Sequence, residues 1–224
     1  MATHLDLEEQ EQLDQLKSFW KQYGNLVTWV LIAVLAAYAA WNGWNWWQRD
    51  QAVKSSAMFD ELDKAVQNGD ADAAGRIFAD MKERYPRTAF TQQGGLLAAK
   101  AQFDKGQLDP ALATLGWVGA NAVETEYQAV ARLRAAGVLL EQKKYDEALK
   151  QLDAATAKEF EALVADRRGD VLLAQGKKDE AKAAYLKAWQ GMDSKVDYRR
   201  LIEAKLGSLG AAPSETTKAS EAGK

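Results

Sequence analysis

Side chains that could perform acid, base or metal chemistry are scarce in this sequence. It has no cysteine, and its single histidine is His4, close to the N-terminus. The missing cysteines exclude disulfides, thiolate nucleophiles and Cys-ligated zinc, and one terminal histidine is a poor basis for a Ser-His-Asp or Cys-His site. Neither phosphate-loop pattern, G-x-x-x-x-G-K-[ST] or G-x-G-x-x-G, occurs. We expect no enzymatic activity, no bound metal and no cofactor.

The most suggestive carboxylates are Asp166 and Asp170, one helical turn apart. Paired carboxylates can act as general acid and base, but Arg167 and Arg168 lie beside this pair. Neighbouring charges of opposite sign are typical of a solvated or ion-paired helix face. We therefore interpret the pair as structural, and a small enzyme that uses carboxylates or lysine alone is the minor alternative.

A long apolar run near the N-terminus organises the rest of the chain. From Leu26 to Trp41 its one polar side chain is Thr28. At about 1.5 Å per residue, a helix over 24–44 spans roughly the 30 Å of a bilayer's hydrocarbon core. Tryptophan favours the interfaces of a membrane. Five tryptophans flank or end the run: Trp20, Trp41, Trp44, Trp46 and Trp47. We predict one transmembrane helix over 24–47, in contact with membrane lipid.

A cleavable signal peptide is the alternative for this run, because Ala37-Tyr38-Ala39 resembles a cleavage site. Signal peptides have a basic N-terminal region and an apolar core of about 7–15 residues. Here residues 1–23 are acidic and the apolar run is longer, so we expect the anchor to be retained. A stripe of apolar residues in this head predicts an amphipathic lead-in to the membrane. It consists of Leu13, Leu16, Trp20 and Tyr23.

The charge of the chain is concentrated in its head. Five of the 32 acidic residues and two of the 29 basic residues lie in 1–25, which leaves 27 of each sign in the remainder. An electroneutral domain has no electrostatic basis for holding a phosphate backbone, so we expect no nucleic-acid partner. Lys and Arg near the two ends of the span are almost balanced, and the positive-inside rule leaves both orientations open.

Residues 48–209 are predicted to be helical and repetitive. They are rich in Ala, Leu, Glu, Lys and Gln and show no sustained alternation of a strand. The segment 138–148 recurs 33 residues later, and fainter copies lie about 37 and 74 residues upstream. Helix–turn–helix units at this period are typical of tetratricopeptide repeats. We predict an all-α protein in which the transmembrane helix precedes a tetratricopeptide-repeat-like α-solenoid of three to four hairpins.

The repeats also predict which residues pack the hairpins. Small residues on the two helices of a hairpin allow close approach. The candidates are Ala111, Ala148 and Ala181 on second helices, with Ala136 and Gly169 facing them from first helices. An Asp at the start of each second helix is expected to cap its free N–H groups. A C-terminal capping helix is predicted over 195–209, and residues 210–224 are predicted to form a disordered tail.

Stacked repeats carry a groove lined by their first helices, in which peptides lie. Eight residues are predicted to line it: Val130, Leu133, Gly137, Leu140, Leu163, Asp166, Asp170 and Leu173. They form a mostly apolar strip with acidic spots. The alternative for any of these leucines is packing against the neighbouring repeat.

Three motifs occur together in this chain. They are Leu16-Lys17-Ser18-Phe19-Trp20-x-x-Tyr23-Gly24 before the span, Trp44-x-Trp46-Trp47 after it, and Gly169-Asp170-x5-Gly176-Lys177-x-Asp179-Glu180-Ala181-x3-Tyr185 in the last repeat. In combination with the acidic head they resemble the ancillary SecYEG translocon subunit family of Gram-negative bacteria. The resemblance covers nearly the whole chain except the tail.

This resemblance implies a single-pass protein of the bacterial inner membrane, with residues 1–23 in the cytoplasm and 48–209 in the periplasm. It implies association with the SecYEG translocon and with a membrane-anchored periplasmic chaperone of the prolyl-isomerase type. The implied role is to pass unfolded, newly exported proteins to periplasmic folding factors. The alternative is an adaptor of opposite topology, whose repeats recruit cytosolic partners to the membrane.

Overall fold

The computed structural model describes the backbone of residues 7–211 and the side chains of residues 11–211, so His4 and nearly all of the predicted tail lie outside it. Within that range the chain is helical and contains no strand, which confirms the all-α prediction. The helices are α1 (Leu7–Gln67), α2 (Ala71–Arg84), α3 (Ala89–Asp104), α4 (Leu108–Asn121), α5 (Thr125–Glu141), α6 (Tyr145–Asp153), α7 (Glu161–Ala174), α8 (Lys178–Gly191) and α9 (Tyr198–Ser208). A 3-10 turn, Lys158–Phe160, precedes α7.

The chain divides into two compact units, Met1–Gln51 and Ala52–Lys224. In the first, α1 is long and apolar enough to cross a membrane. Two polar side chains within or beside the apolar run bond to their own helix: the Thr28 hydroxyl donates to the Gly24 carbonyl, and the Asn42 amide to the Tyr38 carbonyl. Hydrocarbon offers no other partner to such groups, so this internal pairing suits a spanning helix. The five flanking tryptophans are exposed.

In the second unit the helices pair into hairpins. The end of α1 precedes α2, and the pairs α3–α4, α5–α6 and α7–α8 follow, with α9 packed on α8. The first helices also touch one another, because α5 contacts both α3 and α7. This is the arrangement of a repeat solenoid with a terminal helix, as the sequence predicts. Three buried apolar clusters run along it, the first around Phe78 and Val118, the second around Leu152 and Val171, and the third around Tyr185 and Ile202.

The turns between the helices of each hairpin share one backbone geometry. Gly69, Gly106, Lys143 and Gly176 have φ of 70°, 74°, 59° and 80°, in the left-handed region. In each turn the following N–H reaches back to a carbonyl five residues earlier, as from Lys177 to Leu172 at 2.9 Å. This Schellman motif satisfies the free carbonyls at the end of a helix. Lys143 is the one non-glycine residue among the described residues with positive φ, in the same place as the three glycines.

The predicted role of the aspartates is corrected by the structure. Asp70 does cap α2, and its carboxylate accepts from the Ala73 N–H at 2.8 Å. Asp109, Asp146 and Asp179 instead lie at the second position of α4, α6 and α8, whose N-caps make no side-chain capping bond. The sequence pattern located the correct turn but placed the cap two residues too late. A carboxylate in the first turn still favours the helix through the helix dipole.

These first-turn aspartates connect consecutive hairpins. A glutamine amide from the next hairpin donates to each of three carboxylates. The pairs are Gln107 to Asp72 at 2.9 Å, Gln142 to Asp109 at 2.9 Å and Gln175 to Asp146 at 3.3 Å. We call this series the amide ladder. It joins each second helix to the turn of the hairpin that follows, so it fixes the register between repeats.

Replacing Lys143 by Gly should stabilise the repeats. Lysine at positive φ costs about 1 kcal/mol that glycine does not, so the free energy of unfolding should rise by about that amount. Urea unfolding of the full chain in detergent micelles, followed by circular dichroism at 222 nm, measures it. Lys105→Gly is the matched control, because Lys105 lies in the equivalent turn at φ −92° and should lose stability. Loss of stability in both variants would contradict the conclusion that Lys143 is strained by its positive φ.

Candidate binding groove

The first helices α3, α5 and α7, with one residue of α4, line a groove of about 520 Å³. Its apolar lining consists of Ala99, Phe103, Leu115, Val138 and Leu140. Its charged lining consists of Lys100, Asp104, Arg134, Glu141 and Arg167. Such a volume lies within the range of ordinary ligand sites, and an apolar lining with a few polar groups is their usual composition.

Gly137 in the middle of α5 keeps this groove open. A Cβ atom there would meet nothing nearer than the guanidinium of Arg167, at 3.8 Å. This is an ordinary contact distance, so the backbone does not require glycine at this position. Glycine lowers helix stability by about 1 kcal/mol relative to alanine. Its effect here is to leave space between α5 and α7 that a larger side chain would fill.

Two of the three groove cations already have a carboxylate partner. The Lys100 ammonium lies 2.5 Å from Asp104 on the same helix, and both side chains are more than half exposed. The Arg167 guanidinium lies 3.5 Å from a carboxylate oxygen of Asp170. Exposed pairs of this kind contribute little to stability. They do, however, lower the attraction that these two cations offer to an incoming anion.

Arg134 differs from the other two cations. One of its N–H groups donates to the Leu96 carbonyl of α3 at 3.0 Å, and the described part of the chain offers it no carboxylate. Arg134 is exposed as a residue, and partial cover of its guanidinium by the neighbouring helices lowers its pKa. Arginine carries five N–H donors, so four are left over. The groove therefore contains one cation that is paired with no carboxylate among the described residues.

The structure places the eight predicted groove residues in several environments. Gly137 and Leu140 line the groove. Leu133 packs on the second cluster, Val130 on the first and Leu173 on the third, while Leu163 is half-buried on α7. Asp166 and Asp170 are held by α9, as described below. The strip predicted from two repeats is thus mainly an inter-repeat surface, and the groove lies one hairpin nearer the N-terminus.

Sequence analysis did not single out Arg134, Phe103 or Ala99 as groove residues. A signal for them exists in the spacing. Ala99 and Phe103 are four residues apart on α3, and Arg134 lies one turn before Gly137 on α5, so each pair shares a helix face. The two clearest copies of the repeat comprise α5 to α8, whereas α3 belongs to a fainter copy.

Comparison with known proteins shows which family has this architecture. Residues 17–211 match the family profile described as a tetratricopeptide repeat-like domain. The ancillary SecYEG translocon subunit of Neisseria gonorrhoeae is 33% identical over 93% of this chain and 100% of its own length. The chain belongs to the ancillary SecYEG translocon subunit family. Proteins of the same name from Escherichia coli and Haemophilus influenzae are 32% and 27% identical, over 70% and 91% of this chain and 76% and 98% of their own lengths.

A solved structure shares the fold of this translocon-subunit family member. The MamA RS-1 ArsTM double mutant superposes with a TM-score of 0.52 and 17% identity, over 75% of this chain and 89% of its own. At that identity the likeness shows the fold alone. It supports the helical-repeat architecture independently of the family profile.

In this family member the acidic pair of the last repeat is bound by α9. Asp166 is 1% exposed, and its carboxylate accepts from the Tyr198 hydroxyl at 2.7 Å and, through both oxygens, from the Lys205 ammonium at 2.9 Å. Asp170 accepts from Lys205 at 2.7 Å and from the Tyr185 hydroxyl at 2.8 Å. The pair is therefore ion-paired, with Asp166 fully buried and Asp170 partly exposed, and its oxygens are occupied by structural contacts.

Two tyrosine hydroxyls complete this cluster as donors. Burial raises the pKa of both Tyr185 and Tyr198, and the hydrogen bonds to Asp170 and Asp166 raise these pKa values further. The hydroxyls thus stay protonated well above the ordinary range for tyrosine. Their ionisation would place a third negative charge beside two carboxylates.

The small residues predicted to pack the hairpins are all buried. Ala136 and Ala148 lie in one cluster, the second. Gly169 lies against the ring of Tyr185, and a Cβ there would come within 2.5 Å of Tyr185 Cδ1. Ala181 belongs to the third cluster, together with that tyrosine. The absence of a side chain at Gly169 therefore lets the ring of Tyr185 pack directly against the backbone of α7.

Replacing Lys205 by Ala should weaken the packing of α9 on the repeats, although Ile202 and Leu206 stay buried in the third cluster. Asp166 would keep a buried charge without its cation, and we expect a loss of about 2 kcal/mol, below the usual value for buried pairs because Lys205 is 22% exposed. Lys100→Ala is the matched control, since it breaks a shorter but exposed pair and should cost under about 0.5 kcal/mol. Urea unfolding of the full chain measures both. Equal losses would contradict a buried network.

Proposed function

We propose that this chain is a membrane-anchored, non-enzymatic repeat scaffold beside the Sec translocon, and that it helps pass newly exported proteins to periplasmic chaperones. Relatives named as ancillary SecYEG translocon subunits, aligned over 93% of the chain, support the association with the translocon. The α3–α5–α7 groove carries the binding role, because it joins an apolar surface to a charged lining in a fold that binds peptides.

The proposed topology puts residues 1–23 in the cytoplasm, 24–47 across the inner membrane and 48–209 in the periplasm. An anchor of this kind holds the repeats near one site on the membrane. Tethering raises the effective concentration of groove and client to the millimolar range for short linkers, so weak contacts can suffice. The proposed partners are the SecYEG translocon, unfolded exported proteins and a membrane-anchored periplasmic chaperone of the prolyl-isomerase type.

A binding role also fits the chemistry of the described residues. Across that part of the chain no three His, Cys, Asp or Glu side chains are grouped to hold a metal ion. The most suggestive carboxylates are committed to Lys205 and two tyrosines. These observations support a scaffold over an enzyme.

The second candidate is an adaptor of opposite topology, which the near balance of Lys and Arg around the span leaves open. Labelling single cysteines in intact cells separates the two, because the natural chain has none. Ser18→Cys and Ser208→Cys both lie at exposed positions on either side of the apolar run. A membrane-impermeant maleimide should label position 208 only. Labelling at position 18 only would support the adaptor instead.

Filling the groove should abolish client binding without unfolding the repeats. Gly137→Leu adds a side chain where the backbone has room, so the affinity for an unfolded exported protein should fall about tenfold, equivalent to about 1.4 kcal/mol. Because leucine is the better helix former, stability should not fall. Fluorescence anisotropy with the full chain in nanodiscs, using a labelled, urea-diluted outer-membrane precursor, measures the affinity.

Gly116→Leu is the matched control for this experiment. Gly116 lies within α4, is exposed, and would place a Cβ where no atom lies within 4 Å. It offers the same gain in helix propensity and does not line the groove. Its affinity for the client should stay unchanged. Equal binding by both variants would show that the client does not use the groove.

A further inference from the structure

We propose that the α3–α5–α7 groove selects apolar peptide segments that carry one carboxylate, and that Arg134 binds this carboxylate. The inference rests on the proposed peptide-binding role and adds a specificity to it. The occupant is a segment of a partner protein, with apolar side chains against Phe103 and Leu140 and a Glu or Asp side chain at the guanidinium of Arg134.

The geometry of Arg134 suits this role. Its one bond within the described residues, to the Leu96 carbonyl, fixes the guanidinium between α5 and α3. The same group lines the groove, one turn from the space left by Gly137. Arginine presents its donors in a planar fork that matches the two oxygens of a carboxylate. A carboxylate in the groove would therefore meet an oriented fork rather than a mobile charge.

The charges of the groove point to one acidic group rather than several. Three cations and two acids line it, and Lys100 and Arg167 already face Asp104 and Asp170. Arg134 is the remaining cation, exposed at the groove and without a carboxylate partner among the described residues. Glu141 lies two turns further along α5, at about 10 Å by helical rise, and would repel a second acid there.

The C-terminal end of this chain is a poorer occupant. Residues 212–224 contain Glu215 and Glu221 but no large apolar side chain. They could supply the carboxylate but not the apolar contacts that the lining of the groove calls for. A segment of another protein satisfies both requirements.

A pair of matched peptides tests the inference. Each is fluorescein-labelled and seven residues long, with apolar residues around a central Glu in one and Gln in the other. Binding to the full chain in nanodiscs is measured by anisotropy. We expect the Glu peptide to bind about tenfold tighter, as a charge-assisted bidentate bond to an arginine allows. Increasing salt should reduce this preference.

Substitutions then test whether Arg134 causes the preference for the Glu peptide. Arg134→Gln should bind both peptides with the affinity of the weaker one, whereas Arg134→Lys should retain part of the preference because it keeps the charge without the fork. Arg84→Gln, at an exposed position on α2, is the control and should leave the preference unchanged. Thermal unfolding of each variant reports whether it remains folded.

The outcomes separate this inference from the proposed function. Equal binding of both peptides, lost in Gly137→Leu, would overturn the role of Arg134 and leave the groove as a binding site. Binding of neither peptide would overturn both proposals. A chain ending at Ala211 that binds the Glu peptide more than tenfold tighter than the full chain would make the C-terminal end the occupant, and would also overturn the inference.

Discussion

The free carbonyls at the end of each first helix must be satisfied while the chain reverses direction within a few residues. The left-handed residue at that point meets this requirement in all four turns, from Gly69 to Gly176. Because the geometry is the same each time, successive second helices leave their turns in the same way. The contacts among α3, α5 and α7, and therefore the groove they line, follow from that uniformity.

Much of the architecture was predictable because it depends on local signals. The glycines of the turns and the small residues that follow them recur at the repeat period, and the apolar run is visible by its length alone. The residues that line the groove were harder to predict from the sequence. Asp166 looks like a groove residue in its own helix, and only the approach of Lys205, 39 residues later, converts it into a buried structural ion pair. Such long-range contacts leave no periodic trace in the sequence.

The two charged clusters of the repeat unit illustrate opposite uses of the same chemistry. Around Asp166, burial is matched by a cation and two hydroxyls close at hand, so the polar groups hold α9 in place. Arg134 is exposed, and its one hydrogen bond among the described residues goes to a main-chain carbonyl. Fully partnered clusters stabilise a fold, whereas an incompletely partnered charge leaves interaction energy for a ligand. This contrast distinguishes the capped end of the array from its middle.

The amide ladder gives the array a direction. Each amide belongs to a later hairpin and each carboxylate to an earlier one, so every second helix presents an acceptor to whatever follows it. Asp179 occupies the same position in α8, and no described glutamine donates to it. A chain lengthened by duplication after α8 would find its next acceptor already in place.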